Sequence, residues 1–245
     1  MDAIPVYDVL REKMAGLARQ HGLQEEEVLV YTEVLTPEQA IGRPERRDFP
    51  LLKGKEKMVE ARLRKARGQA YTGCPGFFRG SLARVLELDL QDDFERAVFI
   101  ATLNALARHA GLVHNTLHCR DLGPGDCGRQ VAGFLSSHYG RPRLGIVGLQ
   151  PALVAACAPV FPLRVIDLDP DNIGREREGV LIEDGEQAAA DLVEWAQVLL
   201  VTGSTLINGT IQFWLAAQKP VIFYGNSIAG AAVLLGLQRY CPCST

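Results

Sequence analysis

The sequence predicts an α/β protein, with a C-terminal Rossmann-like parallel sheet preceded by a smaller N-terminal α+β domain. Two observations predict it. From Leu144 onward, short apolar runs alternate with helix-length segments, and the runs starting at Leu144, Val198 and Val221 end in glycine-bearing turns. Before that point, β-rich stretches and amphipathic helices mix without regular alternation. Regular βαβ alternation implies parallel strands joined by right-handed crossovers, with helices on both faces. The expected division is an N-terminal domain over 1–114, a linker and connecting helix over 115–142, and a ligand-binding domain over 143–245.

In the N-terminal part, Pro5–His21 has helical spacing of Val6, Val9, Leu10, Met14 and Leu17, and ends at Gly22. Val28–Leu35 is rich in β-formers. Thr36-Pro37-Glu38-Gln39 matches a capped helix start with proline at its first position. Met58–Tyr71 predicts one or two strands around Gly68. Asp92 opens a helix running to Ala110 and closed by Gly111. Asn115–Gly128 reads as a loop, with Asp126 capping a helix to about Tyr139.

In the C-terminal part, strands are expected at Leu144–Gly148, Leu163–Leu168, Val180–Ile182, Val198–Thr202 and Val221–Tyr224. Helices are expected at Pro151–Ala158, Gln187–Ala196, Thr205–Ala217 and Ser227–Leu235, and a short last strand at Leu237–Cys241. Three uncharged stretches, Leu144–Leu163, Val198–Gln218 and Pro220–Gln238, are long enough for a hydropathy scan to read as membrane helices. Turn residues near the middle of each favour strand, turn and helix instead.

The net charge of −3 argues against a nucleic-acid partner. Met1–Gln20 lacks an apolar signal segment, so a cytoplasmic protein is expected, with its six cysteines reduced or metal-bound. A homodimer is the default oligomeric expectation. The basic run Lys53, Lys55, Lys57, Arg62, Arg64, Lys65 and Arg67 reads as the wet face of a hairpin, diluted by Glu56 and Glu60.

In a doubly wound sheet, ligands bind beyond the carboxyl ends of the strands where strand order reverses. The usual order makes the strands starting at Leu144 and Val198 neighbours there. Gly148, Leu149 and Gln150 then face Thr202, Gly203, Ser204 and Thr205, and both loops lead into helix starts suited to a carboxylate or phosphate. Asn208 and Thr210 add polar groups, and Gly225, Asn226 and Ser227 end the next strand in the same way. Helix capping alone explains Thr205 or Ser227. The density of polar residues and glycines between Thr202 and Thr210 favours a ligand.

A dinucleotide is disfavoured, because Gly-x-Gly-x-x-Gly aligned at Gly148 meets Gln150 and Leu153. Asp167 occupies the ribose-binding position, which leaves a smaller nucleotide or an adenosyl group open. Asp167, Asp169 and Asp171 read equally as solvated acids or as ligands for a hard cation. A second constellation is His114, His118, Cys119 and Cys127 in one region, with Cys241 and Cys243 near the end of the sequence. His118, Cys119, Cys127 and Cys241 are candidate ligands for a soft or transition metal ion. Cys74 is another loop thiol, and Cys157 a small buried hydrophobe. No hydrolase elbow, zinc-protease motif or Walker loop is present.

Thr202-Gly203-Ser204-Thr205-Leu206-Ile207-Asn208-Gly209-Thr210, followed by Val221–Gly225, resembles the signature of a family of unknown function described by a heavy-metal chelation role. Thr102-Leu103-Asn104-Ala105-Leu106 resembles that family's Asn-Ala helix. The resemblance spans most of the chain. It implies an enolase-N-terminal-like domain followed by a Rossmann-like one, with a site between them that Asn104 joins. The chain departs from longer members in its first glycine loop, Gly148-Leu149-Gln150-Pro151, and in stopping soon after the last helix. The leading expectation is heavy-metal chelation, or binding of a metal chelate or small anionic ligand, in the interdomain cleft. The alternatives are an adenosyl- or nucleotide-dependent transferase and a non-catalytic regulatory module.

Overall fold

The computed structural model describes residues 6–31, 41–44, 46, 48–49, 57–74 and 76–245. The expected helix start at Thr36–Gln39, the strand beyond Tyr31, and Lys53 and Lys55 of the basic run lie outside the described residues.

Helix α1 (Val6–Gln20) buries Val6, Leu10, Met14 and Ala18, the stripe that its apolar spacing marks out. Strands β1 (Glu27–Tyr31), β2 (Lys57–Leu63), β3 (Ala66–Thr72) and β4 (Phe77–Ser81) form an antiparallel sheet in the order β3-β2-β1-β4. β4 runs straight into a short helix, α2 (Leu82–Leu86), capped by Ser81. α3 (Asp93–His109) is capped by Asp92, whose side chain accepts from the Glu95 N–H. Every residue of α3 from Ala97 to Ala107 is buried. A helix buried all round must be covered all round, and α3 is: it lies on β2 and β3 and touches the helix Ala229–Leu235 that follows the last strand of the second sheet.

The turn between β2 and β3 falls at Arg64–Lys65, with Arg64 left-handed at φ 53°. Gly68, expected at the bend, sits inside β3 opposite Ala61. Its missing side chain serves packing: a Cβ there would lie 2.3 Å from the Ala105 nitrogen and 2.4 Å from the Ala101 oxygen of α3.

One buried acid stands in this sheet. The Glu60 side chain is almost fully buried and binds Arg67 (2.5 and 2.8 Å), Gln69 (3.0 Å) and Arg62 (3.2 Å). Burial alone would raise its pKa, but these partners more than offset it and hold the carboxyl below its ordinary value. A depressed carboxyl contributes stability above its unfolded pKa and loses it as pH falls through the folded one. Glu60→Gln is therefore expected to be less stable than the native chain at pH 7, with the difference shrinking below about pH 4. Urea midpoints across pH check this, and a gap that persists undiminished at low pH contradicts it.

α4 (Gly123–Tyr139) leads to the second sheet. Gly123-Pro124-Gly125, expected as loop, forms its first turn. Proline fits there because that turn's N–H groups have no intrahelical partner. Asp126 is thus inside the helix, and its N–H bonds to the Leu122 carbonyl rather than opening a cap.

The second sheet contains β5 (Leu144–Val147), β6 (Leu163–Asp167), β7 (Glu176–Arg177), β8 (Val180–Asp184), β9 (Val198–Thr202) and β10 (Val221–Tyr224). Their order is β10-β9-β5-β6-β8-β7, parallel except for β7. Helices α5 (Pro151–Cys157), α6 (Gly185–Trp195), α7 (Ile211–Leu215) and α8 (Ala229–Leu235) connect or follow them. Strand order reverses between β5 and β9, as expected. Both faces of β9 are covered: Leu199 and Val201 join the cluster containing α3, while Val198 and Leu200 join that of α4 and α5. This double burial explains the uninterrupted apolar runs.

Two details differ from expectation. Thr205–Ala217 is not one helix but a 3₁₀ turn (Gly203–Leu206) and α7, separated at Gly209 with φ +79°. Leu237–Cys241 pairs with β10 only around Arg239, through the Phe223 N–H to Gln238 and the Tyr240 N–H to Phe223. Among the described residues no helix is long and apolar enough to cross a membrane. The three uncharged stretches are β5–α5, β9–α7 and β10–α8.

Candidate functional site

A cavity of about 590 Å³ opens at the carboxyl ends of the parallel strands, where β5 and β9 meet. Gly148 (φ +87°) and Thr202 touch across the switch point, where a Cβ on Gly148 would lie 2.8 Å from the Thr202 methyl. Tyr224 bonds from β10 to the carbonyls of Val147 (3.1 Å) and Gly148 (2.7 Å), tying the ends of β10 and β5 together across β9.

Gly148, Leu149 and Gln150 form one wall. Thr202, Gly203, Ser204 and Thr205 form the facing one, extended by Asn208 and Thr210. Asp167 and Asp169 line the β6 end, and Gly225, Asn226 and Ser227 the β10 end. His118, Cys119, Cys127 and Cys241 line the same cavity. Asn104 does not. It is fully buried beneath the floor, where its amide donates to the carbonyls of Gln69, Asn226 and Ser227 and its oxygen accepts from the Gly230 N–H (2.7 Å). It fastens α3 to the β10–α8 turn.

Most of the polar groups are bonded locally. The Asp167 carboxylate accepts from the backbone N–H of Leu149 (2.5 Å) and of Asp169 (2.7 Å). Gln150 accepts from the Leu153 N–H, Thr202 from Ser204, and Asn208 from Thr210. Ser227 accepts from the Tyr71 N–H, locking β3 to the second sheet. The helix starts expected to offer free N–H groups have thus given several of them to their own side chains. α5 is only seven residues long and the 3₁₀ turn four, so their end dipoles are slight.

The described charged side chains that line the cavity, Asp167, Asp169 and Glu186, are all acidic. The rest of the lining is largely apolar, with Phe49, Tyr71, Phe213 and Trp214 among it. Sequence reasoning missed these aromatics, which carry no motif. It also missed Gly185 and Glu186, although they follow the third parallel strand, at the rim where ligand residues are expected.

The thiols gather at one end. Cys127 lies in the first turns of α4, and Cys119 just before that helix. A return of the chain beyond β10 brings Cys241 and Cys243 beside them. The Cys127 S–H bonds to Cys241, which together with the neighbouring Arg239 guanidinium holds the Cys241 thiol well below the ordinary cysteine value. The same bond, with burial, pushes Cys127 up. Burial raises Cys119 to about 12. All six cysteines are free. Among the described residues, no three His, Cys, Asp or Glu side chains converge as a metal-holding group. The expected set of His118, Cys119, Cys127 and Cys241 therefore lines one cavity without forming a preformed cage.

An antiparallel α/β unit stacked on a Rossmann-like sheet, with a cavity at the switch point, defines the class of protein. Residues 134–236 match the model of the family described as "DUF364: Putative heavy-metal chelation". The resemblance carried by Thr202–Thr210 is thereby borne out for the Rossmann-like part. A solved structure from Pyrococcus horikoshii, a DUF364 protein of unknown function, is 13% identical with a TM-score of 0.56. It covers 91% of this chain and 79% of its own, a likeness of fold. Another DUF364 protein of unknown function, from Desulfitobacterium hafniense DCB-2, is 15% identical over 73% of this chain and 72% of its own, with a TM-score of 0.48. No curated protein matches the chain.

Proposed function

We propose that the chain binds a small metal chelate in the cavity at the switch point, the chelating molecule supplying most of the metal's donors. The carrying observation is a ligand-sized space, about 590 Å³, with thiols on one wall and no preformed cage. A bare zinc-like ion would need about four convergent donors. A chelate brings its own and needs only an apolar seat and one or two soft contacts.

A simple anion is less well supported. The described charged lining is acidic, and several N–H groups at the strand ends are already bonded. A neutral or cationic chelate meets neither obstacle. The adenosyl reading is weakened at its ribose anchor, because both oxygens of Asp167 accept backbone N–H groups.

The test is a thermal-shift panel of nickel, cobalt, copper and iron complexes of multidentate nitrogen, oxygen and sulfur ligands. At least one is expected to raise the melting temperature of the native chain. Ala189→Trp, which fills the cavity from α6, is expected to remove that shift. At a hundredfold excess of complex over Kd, the stabilisation is about 2.7 kcal/mol. Flat curves across the panel, or equal shifts in Ala189→Trp, overturn the reading.

A further inference from the structure

The segment after β10 is strapped against the loop before α4. Leu117 and Thr245 exchange backbone hydrogen bonds of 2.7 and 3.1 Å. Arg239 bonds to the carbonyls of Gly225 (2.9 Å) and Asn115 (3.1 Å) and to the Ser244 hydroxyl (3.2 Å). The strap brings Cys241 to the same cavity wall as Cys127, with the two thiols within hydrogen-bonding reach. Cys243 also reaches the Cys127 thiol but is not among the cavity-lining residues, and its sulfur accepts from the Gln130 amide at 3.5 Å.

We propose that Cys127 and Cys241 together bind one monovalent soft ion, copper(I) or silver(I), in two-coordinate geometry on the cavity wall. This rests on the reading of the cavity as a metal-handling site and names the protein's own contribution to it. Three features point to this ion class. Thiolates select soft ions. Two adjacent sulfurs suffice for a linear d¹⁰ ion, while the lack of three converging donors among the described residues leaves zinc without a site. The Arg239 guanidinium beside Cys241 offsets the net negative charge of a bis-thiolate complex. Binding forms two metal–sulfur bonds and releases to solvent the one proton that Cys127 and Cys241 share, with the chelator leaving the ion and no change of oxidation state.

The experiment uses the full, reduced chain under anaerobic conditions, with copper(I) supplied as its bicinchoninate complex. The native chain is expected to withdraw one equivalent, and X-ray absorption to report two sulfur neighbours. Cys127→Ser and Cys241→Ser are each expected to weaken uptake beyond the roughly hundredfold that outer-shell changes cause. Cys74→Ser, at an exposed thiol, is expected to leave it unchanged. Should a serine variant fail to fold, alkylation mapping of the native chain decides. Silver(I) is expected to protect Cys127 and Cys241 and not Cys74. Copper left with the chelator, uptake unaffected in both variants, or equal labelling of the three cysteines overturns the proposal. Ala189→Trp separates the two readings, since copper uptake retained there while every chelate fails on the native chain removes the chelate reading and leaves the ion site.

Discussion

Asn104→Ala is expected to destabilise the protein by about 3–5 kcal/mol, since each buried polar group left unpaired costs about 1–3 kcal/mol. The Gly230 N–H loses its acceptor, and the carbonyls of Gln69, Asn226 and Ser227 lose a shared donor. These groups are out of reach of water, because Asn104 is fully buried and Asn226 and Ser227 nearly so. Alanine also leaves a gap between α3 and α8. Against a total stability of about 5–15 kcal/mol, this is a large share. Asn226 and Ser227 line the cavity floor, so the variant should lose ligand-induced stabilisation as well. Urea unfolding measures the first effect. A loss below about 1 kcal/mol would mean that the amide is not the fastener its geometry indicates.

The parallel sheet was legible because its strands are buried on both faces. Leu144–Val147 and Val198–Val201 have no polar residue to suggest another structure, and glycine or threonine marks each end. The switch point followed from the alternation of elements. What was not legible is non-local. Gly68 looks like a turn residue in isolation, and only the approach of α3 explains it inside a strand. Asn104 belonged to the motif, but whether its amide faced a ligand or the β10–α8 turn depended on groups far away in the chain. The polar residues of Thr202–Thr210 line the cavity, yet several of their hydrogen bonds go to neighbouring backbone. Cap and ligand contact use the same residue types, so composition cannot divide them. The meeting of Cys127 with Cys241 depends on a strap formed by Leu117, Arg239 and Thr245, which no local spacing encodes. His118 and Cys119 line the same cavity as that pair, without the convergence that a metal cage requires.

Gly68→Ala is expected to cost about 3 kcal/mol, at the upper end of what forcing an added methyl into a packed interior usually costs. The new Cβ would meet the Ala105 nitrogen at 2.3 Å, the Ala101 oxygen at 2.4 Å and the Asn104 Cβ at 2.7 Å. Two of these three atoms are helix backbone, so no side-chain rotation relieves the contact. α3 must draw back from β3, or β3 must bend away. Either movement pulls the Asn104 amide from its partners, because Gln69, beside Gly68, supplies one of the carbonyls it binds. The two substitutions therefore damage one joint, and their effects should not add. The double variant is expected to be destabilised by less than the sum of the single ones, with a coupling of about 1–3 kcal/mol. A double-mutant cycle in urea reads that coupling directly. Strict additivity would show that the close approach at Gly68 and the amide fastening at Asn104 are independent, and that the seat of α3 does not set the cavity floor.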